Sequence, residues 1–184
     1  MEIEIHQESA SVRDRYQIFI DGQQRHHAHY KILALLSELY LYEWDSELPK
    51  FTINKRLQFY TASYTLKRID GSIYEFMTKS FWKGHYQCIC GPDVYDIYGH
   101  RGRKYSVFKN GNQVAWWTKS VVSWLDGDNY KIIADNSCDY NLIISFCLII
   151  DNYKSQGKKT VININIGRIG PEAKKFDNAW QPKI

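Results

Sequence analysis

The hydrophobic pattern of this chain changes period once. Up to residue 134, apolar and polar positions alternate in short runs broken by turn residues, the period-2 signature of half-buried strands. Over residues 139–151, DYNLIISFCLIID, the alternation stops. Between the two acids every residue from 142 to 150 is apolar except Ser145, and no one-faced stripe divides the run. A segment apolar all round is buried all round. This one is far shorter than the ~20 residues a membrane-spanning helix needs, so it reads as the core element of a soluble fold. Asp135-Asn136-Ser137 supplies N-cap chemistry, Asp139 falls in a first turn where negative charge suits the helix dipole, and Lys154 with Gly157 resembles a helix end. Ile-rich runs also suit strands, but length and caps favour a buried helix over residues 139–154.

From residue 15 to residue 134 one template recurs: an aromatic-led strand, a two-residue turn and a second strand closing on lysine. The clearest copies are YTLKRIDGSIYEFMTKS (64–80) and YSVFKNGNQVAWWTKS (105–120), each with Gly eight residues before the Lys of a TKS triplet. Asp70-Gly71 and Asn110-Gly111 are pairs that tolerate positive φ at both central positions of a type I′ hairpin turn. Looser copies are LYLYEWDSELPKFTINKR (39–56), turning near residues 45–48, and YQIFIDGQQRHHAHYKI (16–32), turning at Asp21-Gly22. Short β-type runs at 86–90, 94–98 and 130–134, bounded by Gly91-Pro92 and by the loops 99–102 and 126–128, bring the total to about eleven strands. Residues 30–42, YKILALLSELYLY, fit either one helical turn or a bulged crossing. VININI (161–166) alternates as a late strand with one wet face.

One buried helix among so many strands leaves few arrangements. The sheet must curl around the helix to cover all its sides, and closing it removes the exposed edges. The expected fold is mainly β, a barrel of about twelve strands built from repeated hairpins around a central helix. It forms a single domain over residues 1–170, with a polar, irregular tail over 171–184.

Composition fits this. A chain of 184 residues buries enough surface to stand without disulfides, and its 14 Tyr and 6 Trp favour strands. The net charge of +4 comes from scattered residues and does not call for nucleic acid. MEIEIHQESA has neither the basic start nor the apolar core of a signal peptide, so the cytoplasm is the expected location and the cysteines are expected as thiols. Cys88 and Cys90 on one strand face stand two rises apart, ~6.5–7 Å, against the ~3.8 Å between β-carbons of a disulfide. No bridge is expected there.

The hairpins followed by ADNSCDYNLIISFCLIID resemble the tubby C-terminal-like superfamily, which includes tubby proteins, phospholipid scramblases and LURP-one-related proteins. Four features carry the resemblance, over roughly residues 16–153. They are the Ala134-Asp135 exit from a strand, Asp139 before the run, the Leu148-Ile149-Ile150-Asp151 close and the G-x7-K hairpins. The resemblance implies a barrel around a central hydrophobic helix. It also implies a lipid-directed role, since tubby proteins bind phosphoinositides and scramblases are linked to calcium and lipid movement. No tubby lipid-binding motif and no scramblase calcium segment matches residue by residue, and here a strand and a tail follow the helix.

Lys55, Lys79 and Lys119 occupy equivalent hairpin ends and are expected to ring one side of the barrel, with Arg56 beside the first. Together with Arg101, Arg103 and Lys104 in a glycine-bounded loop they form a candidate face for phospholipid headgroups, each basic residue worth about 1 kcal/mol near an acidic membrane. Lysine at a strand end also serves solvation and edge protection. His26, His27 and His29 invite a metal reading, but on a strand only His27 and His29 share a face, too few ligands for zinc. Tyr60, Tyr64, Trp82, Trp116, Trp117 and Trp124 suit a ligand pocket, base stacking or cross-strand packing, and packing is the usual role. No P-loop, nucleophile elbow, dinucleotide fingerprint or H-E-x-x-H helix is present. The expected function is therefore a non-enzymatic tubby-like binding module without a cofactor, attaching to anionic phospholipid or another anionic partner. The alternative is a protein-interaction or structural domain with no lipid or small-molecule ligand. A barrel filled by its own helix leaves little interior, so function belongs on the outside.

Overall fold

A computed structural model describes residues 1–8, 15–33, 36–56, 63–120, 128–157 and 172–183. Twelve antiparallel strands follow one another around a closed barrel: β1 (Glu2–Glu8), β2 (Arg15–Ile20), β3 (Gln23–Leu33), β4 (Leu36–Glu43), β5 (Phe51–Arg56), β6 (Ser63–Arg68), β7 (Ile73–Ser80), β8 (His85–Cys90), β9 (Asp93–Gly99), β10 (Lys104–Lys109), β11 (Asn112–Ser120) and β12 (Asn129–Ala134). Helix α1 (Tyr140–Gly157) follows. Each strand pairs with its chain neighbours, and β1 pairs with both β2 and β12, from Glu2↔Ile133 to His6↔Asn129. Among the described strands no ladder edge is left open.

The closing strand is at the start of the chain. In β1, Ile3 and Ile5 are fully buried while Glu2 and Glu4 are only partly so, the alternation that MEIEI spells out. The late strand 161–166 lies outside the described residues, as do Tyr60 and Trp124. The helical-turn alternative for residues 30–42 is corrected: β3 and β4 pair directly, from Tyr30↔Leu39 to Leu33↔Leu36.

The run 142–150 is buried throughout, as part of α1. Phe146 packs against Phe76 and Tyr95, with ring centroids 5.9 and 5.5 Å apart, and the Tyr30 hydroxyl donates to the Leu148 carbonyl at 2.8 Å. Each large apolar side chain placed there contributes about 1.5–3 kcal/mol. Ser145 is accommodated because its hydroxyl donates to the Asn141 carbonyl one turn back, at 2.7 Å. Asp139 is the N-cap rather than a first-turn residue. One carboxylate oxygen accepts from the Leu142 N–H at 3.2 Å and the other meets Arg68 Nη1 of β6 at 3.0 Å, so the helix start is both capped and tied to the wall.

The turns follow their residues with one exception. Asp21-Gly22 and Asn110-Gly111 have both φ angles positive, as a type I′ turn requires. At Asp70-Gly71 only Gly71 does (φ 88), which corrects the type I′ expectation. Arg68 accepts from the Gly71 N–H and donates to the Ser72 carbonyl, a three-residue loop closed by a glycine bulge.

Residues 172–183 are irregular, as expected, but they lie against the barrel wall. Glu172 accepts from the Arg101 N–H at 2.8 Å, Phe176 meets Trp116 and His100 edge-on, Trp180 donates to the Gln113 carbonyl, and the Lys183 N–H reaches Asp135 at 2.6 Å. The segment forms an outer strap along the barrel.

Replacing a residue at the centre of the plug should abolish the fold. Ile144→Asp buries a carboxylate with no partner, and the variant is expected to give no cooperative thermal transition by circular dichroism.

Candidate functional site

Strand direction alternates and α1 enters after β12, so the barrel has an entry end, where the helix starts, and an exit end, where it finishes. The topology brings all six basic candidates to the exit end. Lys55 ends β5, Lys79 ends β7, Arg101, Arg103 and Lys104 join β9 to β10, and Lys119 ends β11. With neighbouring strands ~4.8 Å apart, β5 to β10 spans about 25 Å of rim. The turns of the entry end carry the opposite charge: Asp21, Asp45, Glu47, Asp70, Asp135 and Asp139 against Lys50. This segregation matches the dipole of α1, whose N-terminus lies at the acidic end.

Equivalent hairpin positions do not face alike. In β7 the buried residues are Phe76 and Thr78, and Lys79 is exposed; in β11 they are Ala115 and Trp117, and Lys119 shares their face. The cause is a bulge, where the β10–β11 register slips between Val107 and Phe108. One extra residue on β11 exchanges its inward and outward positions. The expected lysine ring is corrected accordingly. The Lys119 side chain is only 15 % exposed; its ammonium contacts Asp128 and lies 3.0 Å from Asp151 of α1, which also accepts from the Tyr16 hydroxyl at 3.1 Å. Burial alone would lower the Lys119 pKa, but Asp151 and Asp128 outweigh it and hold it above the ordinary lysine value.

Lys55 falls on the face of buried Phe51 and Ile53 and is half-buried, while Arg56 reaches Glu75 at 3.1 Å. Arg101 is exposed; Arg103 and Lys104 are half-buried, and the Lys104 ammonium sits 4.8 Å from the centre of the Phe176 ring. Among the described residues of this rim, the exposed cations are Lys79, Arg101, Arg56, which is paired with Glu75, and Lys83 of the β7–β8 turn, which sequence reasoning passed over. The aromatic candidates divide three ways. Tyr64 and Trp117 are inside, Trp117 stacked on Tyr105 at 4.8 Å; Trp116 lies under the strap; Trp82 is exposed, next to Lys83 in the chain.

At the entry end a cleft of about 610 Å³ opens between the β2–β3 turn, the β4–β5 loop and the start of α1, lined by Asp21, Arg25, His26, Glu43, Trp44 and Tyr140 among others. His26 is 2 % exposed, and among the described residues no group stands at full hydrogen-bond geometry to either ring nitrogen, Asn141 being the polar side chain beside it. Burial lowers its pKa, opposed by the Glu43 charge and by Asn141. His27 and His29 lie on the opposite strand face, stacked on Tyr42. Among the described residues no three His, Cys, Asp or Glu side chains are grouped to hold a metal. Cys88 and Cys90 are buried free thiols, and their sulfurs approach to 3.5 Å, closer than two strand rises because the side chains lean together. The mutual hydrogen bond and burial push the Cys88 thiol well up, which leaves it a protonated and poor nucleophile.

No helix among the described residues is long and apolar enough to cross a membrane. No family model, no curated protein and no solved structure matches this chain.

Two stability predictions follow from the buried charges. Lys119→Met leaves Asp151 buried without its cation and should cost about 3–5 kcal/mol in urea unfolding, whereas Lys119→Met with Asp151→Asn, which removes both charges, should cost less. His26 binds its proton less readily folded than unfolded, so below the ordinary value of 6.5 the unfolded state takes up more protons and stability falls with pH. His26→Phe should flatten that acid limb in melting curves recorded between about pH 7 and pH 5.

Proposed function

We propose that this chain is a cytoplasmic tubby-like binding module that attaches peripherally to anionic phospholipid headgroups through the exit end of its barrel and catalyses no reaction. The observation that carries the reading is the arc of basic residues on the rim from β5 to β10, with Lys79, Lys83 and Arg101 exposed. Lys55, Arg103 and Lys104 lie on the same arc, half-buried, and add to its potential. Each outward charge contributes about 1 kcal/mol at an acidic surface, so three of them are worth on the order of 100-fold in affinity. Lys119 has a different role, since its charge is held by Asp128 and Asp151. The acidic entry end is repelled by the same surface, which orients the barrel axis across it. Side chains of the helix and the wall pack together in the interior, which supports attachment through the outside of the barrel. The resemblance to tubby-like proteins supports a lipid target.

A second reading is favoured by one feature of the opposite end. Trp44, Leu48, Ile69 and Ile73 are each more than half exposed there, among acids. Large exposed apolar side chains of this kind suit a protein partner.

Co-sedimentation with vesicles separates the two. The protein is expected to pellet with phosphatidylcholine vesicles containing phosphatidylserine and not with phosphatidylcholine alone, and the interaction should weaken as salt is added. Lys79→Gln with Arg101→Gln should lower the affinity about 30-fold, the equivalent of roughly 2 kcal/mol. No difference between acidic and neutral vesicles would favour the protein-partner reading.

A further inference from the structure

We infer that the β7–β8 turn is a membrane-inserting tip: Trp82, backed by Phe81, enters the headgroup–acyl boundary of an acidic bilayer while Lys79 and Lys83 engage its phosphates. This rests on the lipid reading above and adds to it how the surface is gripped. The turn is defined by two hydrogen bonds. The Gly84 N–H donates to the Phe81 carbonyl at 3.1 Å, and the Lys83 N–H donates to Ser80 Oγ at 3.3 Å. Trp82 and Lys83 are therefore its two tip residues.

Trp82 is 85 % exposed, the highest value among the large apolar side chains described, and Phe81 is 58 % exposed. Turn tips ordinarily carry Gly, Asn, Asp or Ser, whose backbone freedom or short polar side chains suit the bend. Two adjacent aromatics at the apex supply neither of these properties. The dipole of α1 accounts for cations at this end but not for aromatic rings. Nor is the tip a loose loop. Phe81 meets Tyr153 of α1 edge-on at 6.4 Å and Trp82 meets Phe81 edge-on at 5.9 Å, so the helix that fills the barrel also buttresses the turn. A pre-ordered tip loses little freedom on binding.

The chemistry selects the occupant. An indole has an apolar body and a polar N–H, and it settles at the level of the headgroups in a bilayer. Lysine stems lie along apolar surface while the ammonium stays among phosphates. The core of a protein interface, by contrast, is depleted in lysine, and here Lys79 and Lys83 bracket the rings. The turn also sits within the basic arc, with β5 on one side and β10 on the other, so that tip and flanking charges meet one plane together.

The test uses the full chain with vesicles of phosphatidylcholine and phosphatidylserine, some carrying bromine on the acyl chains, and a soluble sulfated polysaccharide as a polyanion with no apolar interior. On the inference, brominated acidic vesicles quench the tryptophan fluorescence of the wild-type protein, and Trp82→Ser weakens vesicle binding on the order of tenfold or more, in proportion to the apolar area no longer buried. The same variant keeps its affinity for the polysaccharide, and Trp82→Phe restores most of the vesicle binding. Undiminished vesicle binding by Trp82→Ser, or absence of quenching in the wild type, would overturn insertion and leave purely electrostatic attachment standing. Equal loss on vesicles and polysaccharide would also overturn it. Failure of the wild-type protein to bind acidic vesicles at all would overturn the lipid reading itself.

Discussion

A helix with no polar side has to be enclosed, and the rest of this protein is arranged to enclose it. Residues 142–150 offer no face to water, so no single sheet or neighbouring helix suffices and the wall must run all the way round. That demand selects the closed barrel, and closure in turn removes the strand edges that so long a sheet would otherwise expose. The interior is then occupied by side chains of the helix and the wall. Surface chemistry is concentrated at the two ends and along the strap.

The helix also imposes an electrical axis. Its N-terminus is capped by Asp139, itself held by Arg68, while near the other end Asp151 is gripped by Lys119 and Tyr16. These contacts satisfy groups that would be costly to bury alone. They also fix how deep the helix sits, because sliding it by a turn would separate both sets of partners at once. The acidic and basic ends of the barrel extend the same polarity to the surface, so an internal requirement for stability and an external preference for anionic surfaces share one direction.

Much of the architecture was legible in the sequence because it rests on periodicity. The switch from alternation to an unbroken apolar run marks the boundary between wall and plug, and Asp21-Gly22 and Asn110-Gly111 mark hairpins by their backbone chemistry. What escaped depended on register. Lys79 and Lys119 occupy the same place in a repeated template, yet one points out and the other in, because a bulge on β11 adds a residue that no local motif announces. Asp70-Gly71 has the same kind of letters as a type I′ turn but closes a longer loop. The strap was missed because Phe176 and Trp180 are spaced to fit Trp116, His100 and Gln113, partners distant in sequence. Trp82 is an ordinary strand-type residue by composition, and only its position at a turn tip gives it another meaning.

The pairing of β1 with β12 has a consequence for the order in which the protein is made. The first strand cannot find its second partner until residues 129–134 have left the ribosome, and the plug that both strands pack against is synthesised only after them. Throughout that interval the nascent chain carries apolar strand faces with nothing between them and an unpaired edge at β1. Such a species is prone to associate with its own copies. The helix, arriving last among these elements, is what turns an open and adhesive sheet into a closed one. Its burial is therefore a late event in biogenesis as well as the basis of stability.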